Sequence, residues 1–315
     1  MRFLIGDIGG TNSRLALWEN GQIQNEQGFL NDSVENPLAV YGAYRDAIGP
    51  IDGACFGVAG PPVDGKVRMT NLGWTLCEQE MTARFRCPVR LLNDFHAQAF
   101  AVLAMGEDDW IPLQAMSSIA EGHRAVIGAG TGLGEAFLTW SGESFIPVAG
   151  EGSHTRFAPK NPTEVELLQK LMQKWPEHVS VERVVSGPGL VNIFDALNPD
   201  ADRPTGMDDE DPAAWITREG LKGSPFPKQV LDLFVDTLAD EAASLALKCC
   251  AKAVYVSGGI PPRIVPVMKE RFRNAFEAKG RYRSLMETIP VFVVTHPAAG
   301  LLGAGVAASS FFEHA

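Results

Sequence analysis

At 315 residues with 45% apolar side chains, the chain exceeds the usual size of one domain and can bury a sizeable core. Its formal net charge of −11 and pI near 5.1 argue against bulk nucleic acid or an anionic membrane as partner. Five cysteines without a CxxC pair fit reduced thiols better than a disulfide framework or a zinc cluster.

The opening MRFLIGDIGG carries an apolar stretch too short for a secretory segment, and no apolar run approaches the ~20 residues of a membrane span, so a cytoplasmic protein is expected. Residues 2–8 read as a strand, 14–18 as its return after a glycine turn, and 23–29 as a third strand. Pro37 suits the first turn of a helix over 37–47. Residues 54–58 form a buried-strand candidate, and 89–92 a short strand feeding a helix over 94–104. A second series follows: strand 124–128, glycine turn, strand 135–140 and strand 143–148. Helices are expected over 162–174 and 181–196, and an acidic loop rich in Pro and Gly over 198–212. Apolar residues at 231, 234, 235, 238, 242 and 245 mark an amphipathic helix over 228–248, with the vicinal Cys249-Cys250 read as core packing on it. Residues 254–256 and 291–294 are strands, and the chain from Ala298 a helix. The strand, glycine turn and returning strand occur in both halves, as if one supersecondary unit were used twice. A cleft between two such lobes is a natural place for a ligand.

Three glycine-rich segments carry the chemistry. In Gly6-Asp7-Ile8-Gly9-Gly10-Thr11, the glycines let backbone N–H groups converge on an anion, Thr11 adds a donor, and Asp7 suits magnesium held through water. The segment opens a hairpin, unlike a Walker A loop or a Rossmann fingerprint, and a plain hairpin turn also accounts for part of it. In the stretch over 128–134, which includes Gly130, Thr131 and Gly132, four glycines in seven positions exceed what a hairpin needs. Two such turns can grip a nucleotide's phosphates. Gly258, in the segment after strand 254–256, lets a flat adenine approach the backbone; a simple turn leading into a helix explains it equally well. Asp94 stands where a strand meets a helix, a common place for a helix N-cap.

Taken together these segments resemble the actin-like sugar kinases, and most closely the bacterial glucokinase family. The resemblance rests on GDIGGTNSRLAL at 6–17, LLNDFHA at 91–97, GAGTGLG at 128–134, GEGSH at 150–154, SVERVVSGPGL at 180–190, VSGGI at 256–260 and PAAGLLGAG at 297–305, in family order. It implies an α/β fold of two lobes, actin-like (ribonuclease H-like), with an interlobe cleft. The smaller domain would comprise residues 1–107 plus 298–315, and the larger 108–297. It further implies an ATP-dependent hexose kinase that converts D-glucose to glucose 6-phosphate, with ATP and Mg²⁺ on the two glycine turns. Asn93, Asp94, Glu151, His154 and Glu182 are matched to sugar-binding positions, and Asp94 to the base. Family members are commonly dimers, so a homodimer is implied, although the chain shows no dimer signature of its own. Where the family usually has Gly, this sequence has Ser153, a change that leaves Glu151 and His154 in place.

Other readings remain open. A sugar-sensing regulator on the same scaffold usually carries an N-terminal helix-turn-helix, whereas this chain starts on its first strand. An actin-like ATPase would not need the polar set around Asn93, Glu151 and Glu182. A kinase for mannose or fructose differs by contacts that motifs do not show.

Overall fold

The computed structural model describes residues 1–69, 72–115, 118–198 and 202–313. Its contacts divide the chain into two units: residues 1–107, 147–149 and 296–315, and residues 108–146 and 150–295.

In the first unit, β1 (Arg2–Ile8), β2 (Asn12–Glu19) and β3 (Gln22–Leu30) form an antiparallel meander. Then come α1 (Pro37–Ile48), β4 (Gly53–Val58), β5 (Lys66–Met69), β6 (Trp74–Cys77), α2 (Glu78–Phe85), β7 (Val89–Asn93) and α3 (Asp94–Ala104). The sheet order is β3-β2-β1-β4-β7, with β4 parallel to both β1 and β7. All six residues of β4 are buried, as expected for a parallel strand covered on both faces. The period-2 alternation of β1 divides the core. Leu4 and Ile8 pack with Tyr41 and Phe85 on one face, and Phe3 and Ile5 pack with Leu301 and Ala304 on the other. Each such buried Leu or Ile contributes about 1.5–3 kcal/mol of transfer free energy. The short β5–β6 hairpin was not expected from sequence; four residues a strand is too little for a periodic signal.

The second unit holds β8 (Trp110–Pro112), β9 (Arg124–Ala129), β10 (Leu133–Trp140), β11 (Phe145–Gly150), α4 (Pro162–Lys174), α5 (Gly187–Leu197), α6 (Pro212–Leu221), α7 (Pro225–Lys248), β12 (Ala253–Ser257), α8 (Val265–Glu277), α9 (Arg283–Glu287) and β13 (Val291–Val294). Its sheet order is β11-β10-β9-β12-β13-β8. Here β9 pairs antiparallel with β10 and parallel with β12, repeating the way β1 pairs with β2 and β4. The doubled unit suggested by the sequence is thus present as topology. The last helix, α10 (Ala299–Phe312), returns to the first unit.

Two expectations need correction. The helix over 181–196 is broken into a 3-10 turn at Val181–Arg183 and α5. Pro188 has no N–H and its ring would clash with the carbonyl of residue 184, so the helix restarts with the Ser186 side chain accepting from Gly189 N. Cys249 and Cys250 do not lie on α7, which ends at Lys248; Cys249 is its C-cap, and Cys250 is exposed at φ 53°. Of the acidic loop over 198–212, residues 199–201 lie outside the described residues. Among the described residues, no helix is long and apolar enough to cross a membrane.

Candidate active site

In the first unit the turn over residues 9–11 is closed by Gly9 N donating to Asn12 O at 2.9 Å. Nothing lies within 4 Å of where a β-carbon of Gly10 would sit, and Thr11 is exposed. Behind this open face the turn is braced. Asn31 Nδ2 donates to Gly9 O at 2.8 Å, Asn31 N donates to Thr11 O at 3.0 Å, and Asn31 Oδ1 accepts from Ser13 Oγ at 2.6 Å. The buried Tyr41 hydroxyl meets the same Ser13 Oγ at 3.0 Å, and burial pushes its phenol up to about 12. Asn31 and Tyr41 were not among the candidate site residues: their contacts to this turn come from chain closure, for which local spacing carries no signal.

Gly6 and Ile8 lie inside β1 and are buried. A β-carbon on Gly6 would overlap the Phe56 ring, so this glycine serves strand packing beneath the turn. Asp7 faces the other side of the sheet, where its Oδ2 accepts from Arg14 Nη2 at 2.7 Å. Arg14 also donates to Pro297 O at 2.9 Å. A β-carbon on Gly300 would come within 2.5 Å of the Asp7 carboxyl, so the carboxylate sits against the first turn of α10, where the helix dipole favours an anion.

The registers of β1, β4 and β7 set Ile8, Val58 and Asn93 level across the sheet. At ~4.8 Å per strand, the end of β7 stands about 10 Å from the end of β1, on the same edge as the turn over 9–11. Asn93 caps α3: its Oδ1 accepts from Phe95 N at 2.8 Å and His96 N at 3.2 Å. Asp94 is therefore the first helical residue, and the cap role considered for it belongs to its neighbour. With Asn93 Oδ1 engaged in the cap, Nδ2 is the atom that would donate to a ligand. Gly57 gives α3 its close seat: a β-carbon there would lie 3.0 Å from Ala97 Cβ and 3.6 Å from Asp94 Cα. His96, whose ring bonds Pro147 O at 3.1 Å, has its pKa lowered by burial, with that hydrogen bond opposing the shift.

In the second unit the turn over residues 130–132 is closed by Gly130 N donating to Gly132 O at 2.8 Å, and Thr131 is exposed at its tip. Gly130 O accepts from Gly187 N at 2.7 Å, which fixes the turn against the start of α5. Glu182 Oε2 accepts from Leu133 N at 2.9 Å, and a β-carbon on Gly132 would come within 2.6 Å of that oxygen. Gly258 adopts φ 94°, and a β-carbon there would overlap the Ala129 carbonyl oxygen, so only glycine fits. Ile260 N donates to the same Ala129 O at 3.1 Å, setting this segment beside the root of the glycine turn.

Glu151 precedes the 3-10 turn Gly152–His154, and its Oε2 lies 3.7 Å from His154 Nε2, both side chains being more than half exposed. Ser153 points inward and is 2% exposed. Val181 N donates to Thr155 O at 3.0 Å, and Arg156 bridges Ser180, so this turn is stitched to the one carrying Glu182. The second unit thus sets Glu182 against the turn holding Gly130, Thr131 and Gly132, and ties the turn carrying Glu151 and His154 to the one carrying Glu182. The first unit assembles Asn93 and Asp94 with the turn holding Gly9, Gly10 and Thr11.

The family model described as Glucokinase matches residues 4–311. The chain belongs to the glucokinase family. A glucokinase of Tolumonas auensis is 38% identical over 312 residues, covering 96% of this chain and 95% of its own. The crystal structure of a glucokinase from an Antarctic psychrotroph superposes with a TM-score of 0.82 at 28% identity, over 100% of this chain and 99% of that one. A ROK family glucokinase from Streptomyces griseus, in complex with glucose and AMPPNP, shares the fold at a TM-score of 0.72 and 20% identity, over 98% of this chain and 100% of that one. As a member of the glucokinase family the chain is an ATP-dependent hexose kinase with the actin-like sugar-kinase fold.

Proposed function

We propose that this enzyme transfers the γ-phosphoryl group of ATP to the 6-hydroxyl of D-glucose, with Asp94 as the general base. The observation that carries the reading is the shared sheet edge: Asp94 starts α3 directly after Asn93, which is level with Ile8 and the phosphate turn that follows it. A base and an anion-binding turn on one edge are what a hydroxyl attacking a phosphoryl group requires.

In this reading the backbone N–H groups around Gly9, Gly10 and Thr11, and around Gly130, Thr131 and Gly132, hold the phosphates, while Gly258 lets the adenine approach the backbone. Magnesium enters with the nucleotide as part of the substrate. The Asp7 carboxylate, one oxygen of which is held by Arg14, fits a contact to that ion through water better than a direct ligand cage. Asn93 Nδ2 donates to a sugar oxygen. The carboxylates of Glu151 and Glu182 accept sugar hydroxyl protons, and His154, beside Glu151, completes the set. Asp94 takes the proton of the primary hydroxyl as that oxygen attacks. Because phosphoryl transfer has a loose transition state, alignment and charge neutralisation supply most of the acceleration, and the base about 10²–10⁴-fold. That a fold relative from Streptomyces griseus holds glucose and AMPPNP together supports the pairing of substrates. With the family resemblance go three further parts of the proposal: a cytoplasmic location, a homodimer, and a smaller domain at residues 1–107 plus 298–315.

The test is Asp94→Asn. Turnover should fall by about 10²–10⁴-fold while glucose binding, measured by calorimetry, is retained. Near-normal turnover with intact binding would refute the base. ADP release across glucose, mannose and fructose decides the hexose.

A further inference from the structure

Behind the turn that carries Glu151 and His154 lies a carboxyl that the chemistry above does not use. Glu135, on β10, is 2% exposed. A β-carbon on Gly152 would overlap Glu135 Oε2 and lie 3.0 Å from its Cδ, so the carboxyl is pressed against the backbone of the turn. Only the missing side chain at Gly152 permits that approach. Glu135 Oε1 has no hydrogen-bond partner among the described residues.

The ionisable groups around Glu135 come from each neighbouring element. Glu241 on α7 is 9% exposed, and Lys248 at the end of α7 lies 3.4 Å from it. Cys249 follows, and its own thiol is pushed up by burial and, among the weaker causes, by the charge of Glu135. Glu151 and His154 lie on the turn itself. Burial first, and then the negative charge of Glu241, push the Glu135 carboxyl up to about 7, with Lys248 opposing.

We infer that Glu135 is a positioning residue for the hexose: its neutral carboxyl supports the Gly152–His154 turn in the sugar-binding arrangement, and its ionisation loosens that arrangement. The physical reason is the lack of compensation. A buried carboxylate without a donor on one oxygen, beside a second carboxylate, gains by drawing towards water, and the turn is the wall in its way. The inference rests on the reading of Glu151 and His154 as sugar ligands.

The experiment measures KM for glucose and kcat at saturating Mg-ATP from about pH 5.5 to about pH 8.5, a range that brackets the Glu135 transition. The wild-type enzyme is compared with Glu135→Gln, Glu241→Gln and Glu151→Gln. In the wild type, the glucose KM should rise several-fold across the range with a midpoint near 7. Glu135→Gln should remove that component from KM and leave the kcat profile in place. Glu241→Gln should shift the midpoint to lower pH, because it removes the neighbouring negative charge. A Glu135→Gln profile with the wild-type shape, whether superimposed or uniformly displaced, overturns the inference. Should Glu135→Gln fail to fold, Glu241→Gln decides: a lowered midpoint supports the inference and an unmoved one refutes it. Glu151→Gln separates the two layers. If it leaves the glucose KM unchanged, the sugar-site reading falls and this inference with it. If it raises that KM while Glu135→Gln follows the wild type, this inference falls alone.

Discussion

The backbone N–H of Leu133 donates to Glu182 Oε2 at 2.9 Å, so a carboxylate read as a sugar ligand is also part of the turn read as a phosphate grip. A hydrogen bond to a charged acceptor is worth about 1.5–3 kcal/mol. Glu182→Ala should therefore raise KM for ATP as well as for glucose, by about ten-fold or more each. Glu182→Gln keeps an oxygen for Leu133 and should restore the ATP term more than the glucose term. Steady-state kinetics with each substrate varied checks this; a Glu182→Ala enzyme impaired towards glucose alone would separate the two roles.

Asn31 should matter to nucleotide binding without touching the nucleotide. Asn31→Ala removes the donor to Gly9 O and the acceptor of Ser13 Oγ, leaving buried polar groups behind. Each such orphan costs about 1–3 kcal/mol. Urea unfolding should show that loss, and the ATP KM should rise while the glucose affinity of the nucleotide-free enzyme changes little.

Gly258→Ala combines a left-handed backbone with an overlap on the Ala129 carbonyl oxygen. The backbone strain alone is worth about 1–3 kcal/mol. The variant should lose stability and nucleotide affinity together, whereas Gly259→Ala, with nothing within 4 Å of its β-carbon, should be mild by comparison. Calorimetric titration with a non-hydrolysable ATP analogue distinguishes them.

Glu135 also makes a prediction about stability. Its folded value of about 7 lies above the reference of 4.5, so the folded state holds the extra proton between those values. The stability linked to that proton is complete below pH 4.5 and lost as pH rises through 7. Glu135→Gln does not titrate. Its stability relative to wild type should therefore improve from about pH 5 to pH 8 by up to about 3 kcal/mol. Denaturant unfolding at the two pH values measures the difference, and a constant difference would show that Glu135 is already ionised in the folded state.

Elements whose pattern is local were legible in the sequence. The β1–β2 hairpin, α3 and α4 follow from alternation, Pro or Asn at the helix start, and a glycine turn. The break between Val184 and Ser186 was missed, although Ser186 followed by Gly187 and Pro188 carries the marks of a fresh helix start. The cap of α3 was assigned one residue late, since Asn93 and Asp94 are both good caps and only the backbone decides between them. The places of Asn31, Tyr41 and Glu135 behind the site could not be found from spacing. The first two reach the phosphate turn from later in the chain. A Glu in a strand ordinarily faces water, whereas this one is covered by α7 and the Gly152 turn.

The return of α10 to the first unit sets an order on synthesis. Phe312 packs on Phe3, Trp18 Nε1 donates to Ser309 Oγ at 3.0 Å, and Gly300 abuts Asp7. The half-site built on β1 cannot acquire these partners until residues 299–312 have left the ribosome, while residues 150–295 are translated before them as one uninterrupted run. During that interval the nascent first sheet exposes the face that Leu301 and Ala304 will cover, and nucleotide affinity should emerge only once α10 has been made.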